Sequence, residues 1–207
     1  YLLSFVFFCF LFCFKKMDSC FGLVGDGFAI VAADASACNS ILIFKRDLDK
    51  ITQLDSHKLL AGSGTFADSV NFNEYIQKNL NLYSLNNDLQ LSTEAAANFV
   101  RGELATALRK GPYQTNSLLA GYDKNGASLY FLDYLAALAK VNFGAQGYAS
   151  NFVLSVFDRE WRENLTLEEG IEVIKKCIHE LQTRFIISQP VFIVKVVDEN
   201  GVRKIDI

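Results

Sequence analysis

The run Phe28-Ala-Ile-Val-Ala-Ala33 constrains the fold more than any other part of the chain. An uninterrupted apolar strand of this kind is buried on both faces, so structure must lie above and below it. Gly25-Asp26-Gly27 just ahead is a strong turn signal, and Cys20–Val24 is another apolar run, so the two segments read as a hairpin. The strand ends in an acid, Asp34, and a carboxylate at the mouth of a buried strand needs a partner.

The rest of the chain sorts into blocks. A polar loop over residues 35–40 leads to a short strand, Ile41–Phe44, then a solvated run over residues 45–50. Leu59-Leu60-Ala61-Gly62-Ser63-Gly64 reads as a second buried strand, closed by small residues that admit a close backbone approach. Phe72, Ile76, Leu80 and Tyr83 then repeat at helical spacing, ended by the polar cluster Ser84–Asp88. Ser92 or Thr93 can cap a second helix with Ala97, Val100, Leu104 and Leu108 on one face. Ser117–Tyr122 and Ala127–Leu132 flank the turn chemistry of Asp123-Lys-Asn-Gly126. Residues 133–143 are expected to extend a strand, against the helix propensity of Leu135–Ala139. A short helix is expected over 148–160. A longer one starts at the capping box Thr166-Leu-Glu-Glu169 and carries Leu167, Ile171, Ile174, Ile178, Leu181 and Phe185 on one face. A hairpin, Val191–Val197 and Val202–Ile207, finishes the chain. Strands and helices in separate blocks, each helix with one apolar face, predict an α+β fold of two packed sheets with helix pairs outside. The phenylalanines Phe21, Phe28, Phe44, Phe66 and Phe72 are expected in the core.

Composition removes several functions. The 207 residues are 51% hydrophobic with two prolines and a net charge of −3, enough for one domain and a poor match to nucleic acid as the main partner. His57 and His179 are far apart and read as partly exposed residues, so no metal site is expected. No glycine-rich phosphate loop occurs, and no cofactor is expected. Cys20, Cys38 and Cys177 read as small buried hydrophobes of a reducing compartment.

Residues 1–16, YLLSFVFFCFLFCFKK, stand apart. The apolar stretch is short of the roughly 20 residues that cross a bilayer. Its lysines follow the run, the wrong order for a secretory signal. The expectation is a leader or artefactual extension over 1–16 before a domain at 17–207, the alternative being a short propeptide or interfacial anchor.

The opening hairpin ending VAAD, Lys50, the strand LLAGSG before a helix, and the stretches AGYDKNGASLYFLDYLAALAK and KCIHELQTRFIISQP together resemble the β subunits of the 20S proteasome, members of the N-terminal-nucleophile hydrolase fold. The resemblance runs from Met17 to the C-terminus and implies a four-layer αββα sandwich. In active members an N-terminal threonine sixteen residues before the VAAD aspartate is the nucleophile. A lysine sixteen residues after that aspartate tunes it, and a glycine N–H binds the oxyanion. By that likeness the positions here are Asp18, Asp34, Lys50 and Gly64. The acid, the lysine and the glycine are present and the nucleophile is not. A further aspartate of active members corresponds to Phe185, and a serine between glycines maps to Gln146.

The resemblance therefore implies a vestigial site, with Asp34 and Lys50 as a buried structural ion pair. It implies no catalytic residue and no enzyme activity. The expected role is a non-catalytic subunit for assembly of the particle that performs ubiquitin-dependent protein degradation, in cytoplasm and nucleus. The implied partners are other β subunits of a seven-membered ring, including a neighbouring chymotrypsin-like subunit, plus α-ring subunits and the opposing β ring. Nucleic acid and membrane are not among them. Two alternatives stay open: an active peptidase or amidase using Ser19 or Cys20 after trimming, and an unrelated binding module.

Overall fold

The structure is a computed structural model that describes residues 18–39 and 42–207. The expectations for residues 1–16, and for a domain starting at Met17, lie outside the described residues.

Two five-stranded antiparallel sheets form the centre. The first has the order β10-β1-β2-β11-β12, built from β1 (Ser19–Gly25), β2 (Phe28–Asp34), β10 (Phe143–Gly147), β11 (Phe192–Asp198) and β12 (Gly201–Ile205). The second has the order β5-β6-β7-β8-β9, from β5 (Ile51–Asp55), β6 (Lys58–Gly64), β7 (Thr115–Asp123), β8 (Gly126–Leu132) and β9 (Leu138–Val141). Helices α1 (Phe66–Asn87) and α2 (Thr93–Ala107) cover the second sheet; α3 (Ser150–Glu160) and α4 (Leu167–Arg184) cover the first. A separate two-stranded ribbon, β3 (Ala37–Asn39) with β4 (Leu42–Lys45), stands apart from both sheets.

Strand alternation builds three apolar layers. In β2, Phe28, Ile30 and Ala32 face α3 and α4, while Ala29, Val31 and Ala33 face the other sheet. In β6, Leu59 and Ala61 meet them between the sheets, and Leu60 turns outward to α1 and α2. The fully apolar strand at the start of the chain is thus buried from both sides, and the αββα sandwich follows. The expected caps form: Ala95 N–H donates to Ser92 Oγ at 3.2 Å, and Thr166 and Glu169 exchange reciprocal bonds.

Several local expectations need correction. Phe44 and Phe66 are exposed, not core: β4 pairs only with the small ribbon, and Phe66 sits on the first turn of α1 beyond the sheet edge. Tyr83 is exposed because only the first part of α1 lies on the sheet. Cys38 is half-buried for the same reason as Phe44. Residues 35–40, expected as loop, include β3. Residues 133–137 make a turn rather than strand, because Asp133 Oδ1 accepts from the N–H groups of Leu135 (3.0 Å) and Ala137 (2.8 Å). Ala136 takes a φ of 64°, and only then does β9 begin.

Candidate functional site

Four segments converge where β1 and β2 meet the start of β5 and the end of β6. Asp34 ends β2 opposite Phe192 of β11. Its carboxylate accepts from Ser19 N–H at 2.8 Å, Ser36 N–H at 3.2 Å, and Lys50 Nζ at 2.9 and 3.0 Å. A carboxyl with donors on both oxygens is holding its anionic form. Lys50 also donates to Asp18 Oδ1 at 2.6 Å, and Asp18 Oδ2 accepts the Gly64 N–H at 3.1 Å. All four sequence-derived positions are therefore brought together.

The sequence reading expected an ion pair beside an idle Asp18. The structure has a three-member cluster, two carboxylates on one ammonium, and Asp18 is a full member of it. Burial works to lower the Lys50 pKa, but Asp34 and then Asp18 more than offset it and hold the ammonium above the usual lysine range. Burial pushes the Asp34 carboxyl up, with Lys50 and the Ser19 N–H pulling the other way.

Two glycines shape the space around residue 18. A Cβ on Gly64 would lie 2.2 Å from the Gln114 carbonyl oxygen and 2.7 Å from Thr115 Cα. One on Gly147, at φ 73°, would lie 1.9 Å from the Asp18 carbonyl oxygen. Gly147, and the Ser19 and Ser36 N–H groups, were not singled out from the sequence. The one available signal for them was the pairing of Ser19 with Gly147 across β1 and β10, which needs the sheet order to be known.

The neighbouring candidates are arranged for packing. Cys20 is buried between the sheets, and burial, then the Asp34 charge, push its thiol far above the ordinary range. The thiolate is the reactive form of cysteine, so this one is inert. Ser19 is fully buried and its N–H is held by Asp34. Gln146 donates to the Leu132 carbonyl at 3.1 Å. Phe185 stacks with Tyr148 and Phe152, ring centroids 5.9 and 5.7 Å apart. His57 is half-buried and His179 exposed, as the sequence reading expected, on different elements.

The sequence model described as proteasome subunit matches residues 15–197. The chain belongs to the proteasome subunit family. It is 58% identical over 189 residues to proteasome subunit beta type-2-B of Arabidopsis thaliana, covering 91% of this chain and 95% of that one. Proteasome subunit beta type-2 of Dictyostelium discoideum is 46% identical, covering 90% of this chain and 96% of the relative. Proteasome subunit beta type-4 of Saccharomyces cerevisiae is 39% identical, with 92% and 98% covered. Within the proteasome family the likeness is thus to β-type members over nearly their whole length, and the chain is a β subunit of the proteasome core. The sandwich and the placement of Asp34, Lys50 and Gly64 are those expected of that family.

Proposed function

We propose that this β subunit is catalytically silent and contributes structure and contacts to the proteasome core rather than a peptidase site. The observation that carries the proposal is the state of residue 18. Where active members present a hydroxyl, this chain presents a carboxylate already engaged by Lys50 Nζ and Gly64 N–H. A carboxylate is a weak nucleophile toward an amide. The anhydride it would form expels the carboxylate again, so no durable acyl-enzyme results. Ser19 and Cys20 do not rescue the chemistry: the serine is fully buried, and the cysteine is held as a neutral thiol.

The vestigial cluster of Asp18, Asp34, Lys50 and Gly64 then acts as an internal clasp joining the two sheets. In the same reading the partners are β subunits of a seven-membered ring, among them the chymotrypsin-like neighbour, with an α ring on one side and the opposing β ring on the other. The work of the particle, ubiquitin-dependent degradation in cytoplasm and nucleus, is done by other subunits.

The test is peptide hydrolysis by the assembled particle with its active threonines blocked. The proposal expects no residual hydrolysis that changes when Asp18 is replaced by alanine. Residual activity abolished by substitution of Ser19 or Cys20 would overturn it.

A further inference from the structure

We infer that Lys50 Nζ and Gly64 N–H form a ready-made anion site that the chain fills with its own Asp18, so that external carboxylates and oxyanions are shut out by occupancy. The inference rests on the silent-subunit reading. Its readout is ligand binding rather than hydrolysis, so the two can fail separately.

The donor pair follows from strand geometry. Along β6 the N–H groups of alternate residues point the same way. Gly62 N–H donates to the Lys50 carbonyl at 3.2 Å, on the side where β5 lies. Gly64 is two residues on, past the point where β5 begins at Ile51, so its N–H faces the same side with no strand to meet it. On its other flank Gly64 is held against β7, opposite Thr115, at a distance that admits no side chain. The result is a fixed backbone donor beside the ammonium of Lys50, the same residue that receives Gly62. A backbone N–H and an ammonium converging on one point suit the two oxygens of a carboxylate.

Asp18 supplies those two oxygens, one to each donor. Its carbonyl is packed against Gly147, which fixes the residue from behind. The two carboxylates of the cluster differ in kind. Asp34 has four donor contacts and a side chain only 2% exposed, whereas Asp18 has two and is 23% exposed. Asp34 is thus the buried counter-ion, and Asp18 sits at the mouth as a plug. Removing its side chain leaves Asp34 on Lys50, frees the Gly64 N–H, and opens a space of carboxylate shape reachable from solvent.

The test uses the full chain and sodium formate, with sodium chloride at equal ionic strength as reference. Asp18→Gly should melt below the parent, and formate should raise its midpoint by about 2–4 °C more than chloride does, as expected for a ligand that binds only the folded state. The parent, its site already full, should show no formate-specific rise. Asp18→Gly with Lys50→Met should show none either, since half of the donor pair is gone. A folded Asp18→Gly chain indifferent to formate would overturn the inference, as would an equal formate effect on the parent. A second measurement needs no variant. In the parent, the Gly64 amide should exchange with solvent as slowly as the ladder amide of Gly62, and exchange at the rate of an open amide would equally overturn the inference.

Discussion

Two lysines bury their ammonium groups at opposite ends of β5, and they do different things. Lys58 is 2% exposed and pairs at 2.8 Å with Asp55, three residues before it across the β5–β6 turn. The other oxygen of Asp55 accepts the His57 N–H at 2.8 Å, so the whole arrangement lies within one hairpin. Lys50, with its side chain 9% exposed, instead holds carboxylates from residues 18 and 34, one before β1 and one at the end of β2. One lysine staples a turn and the other ties two sheets together. Burial of a lysine beside an acid is therefore no mark of catalysis by itself; what separates the two sites is how many distant segments depend on the charge.

That contrast sets the largest expected effect. Lys50→Met strands two carboxylates, one of them fully buried, and should cost about 3–5 kcal/mol. Asp34→Asn in the same chain should recover part of the loss, and adding Asp18→Asn should recover more, since no charge is then left unpaired. Lys58→Met strands only Asp55, which is partly exposed and keeps its His57 bond, and should cost about 1–3 kcal/mol. Denaturant unfolding of the variants checks the order. Equal losses at the two lysines would erase the distinction drawn between them.

Next in size is the response to alkali. The Lys50 pKa is raised on folding, so its contribution is fully present below the unfolded value of about 10.4 and is lost as pH rises through the higher folded value. The Cys177 thiol, pushed up from 9.0 to about 12 by burial and then by Glu160 and Glu180, acts with the same sign from lower pH. Above pH 9 the unfolded chain releases a proton that the folded chain retains. The melting midpoint should therefore hold up to about pH 9, fall beyond it, and fall more steeply above about 10.4. The steeper part should vanish in Lys50→Met. A midpoint that rises between pH 9 and 11 would contradict both shifts.

The smallest effects concern packing and caps. Thiol alkylation mapped by mass spectrometry should modify Cys38 well before Cys20 or Cys177, because only Cys38 lies on the outlying ribbon. Thr166→Ala should cost about 1 kcal/mol through loss of the cap on α4, with no effect on the alkali response.

The parts legible in the sequence were those decided locally. The β1–β2 hairpin, the turn before Gly126 and the caps at Ser92 and Thr166 depend on residues within a few positions of one another. Phe44 and Phe66 misled because an apolar residue signals burial only if some layer reaches it, and layer edges are set by sheet order. The turn at Asp133 was missed because a single carboxylate receiving two N–H groups outweighs the helix propensity of the alanines that follow. At the site, likeness to a family supplied the positions of Asp34, Lys50 and Gly64. The bond from Gly64 N–H to Asp18 was beyond sequence reasoning, since it arises from where β5 begins relative to the end of β6.

The central claim is that this end of the sandwich is a sealed ion cluster and not a working nucleophile site. The most direct measurement treats the assembled particle with an epoxyketone or vinyl-sulfone probe and maps adducts on this subunit by mass spectrometry. The account predicts that residues 18–20 carry no adduct while the active threonines of other subunits are labelled. Adduct formation at Ser19 or Cys20, lost when that residue is changed to alanine, would contradict it.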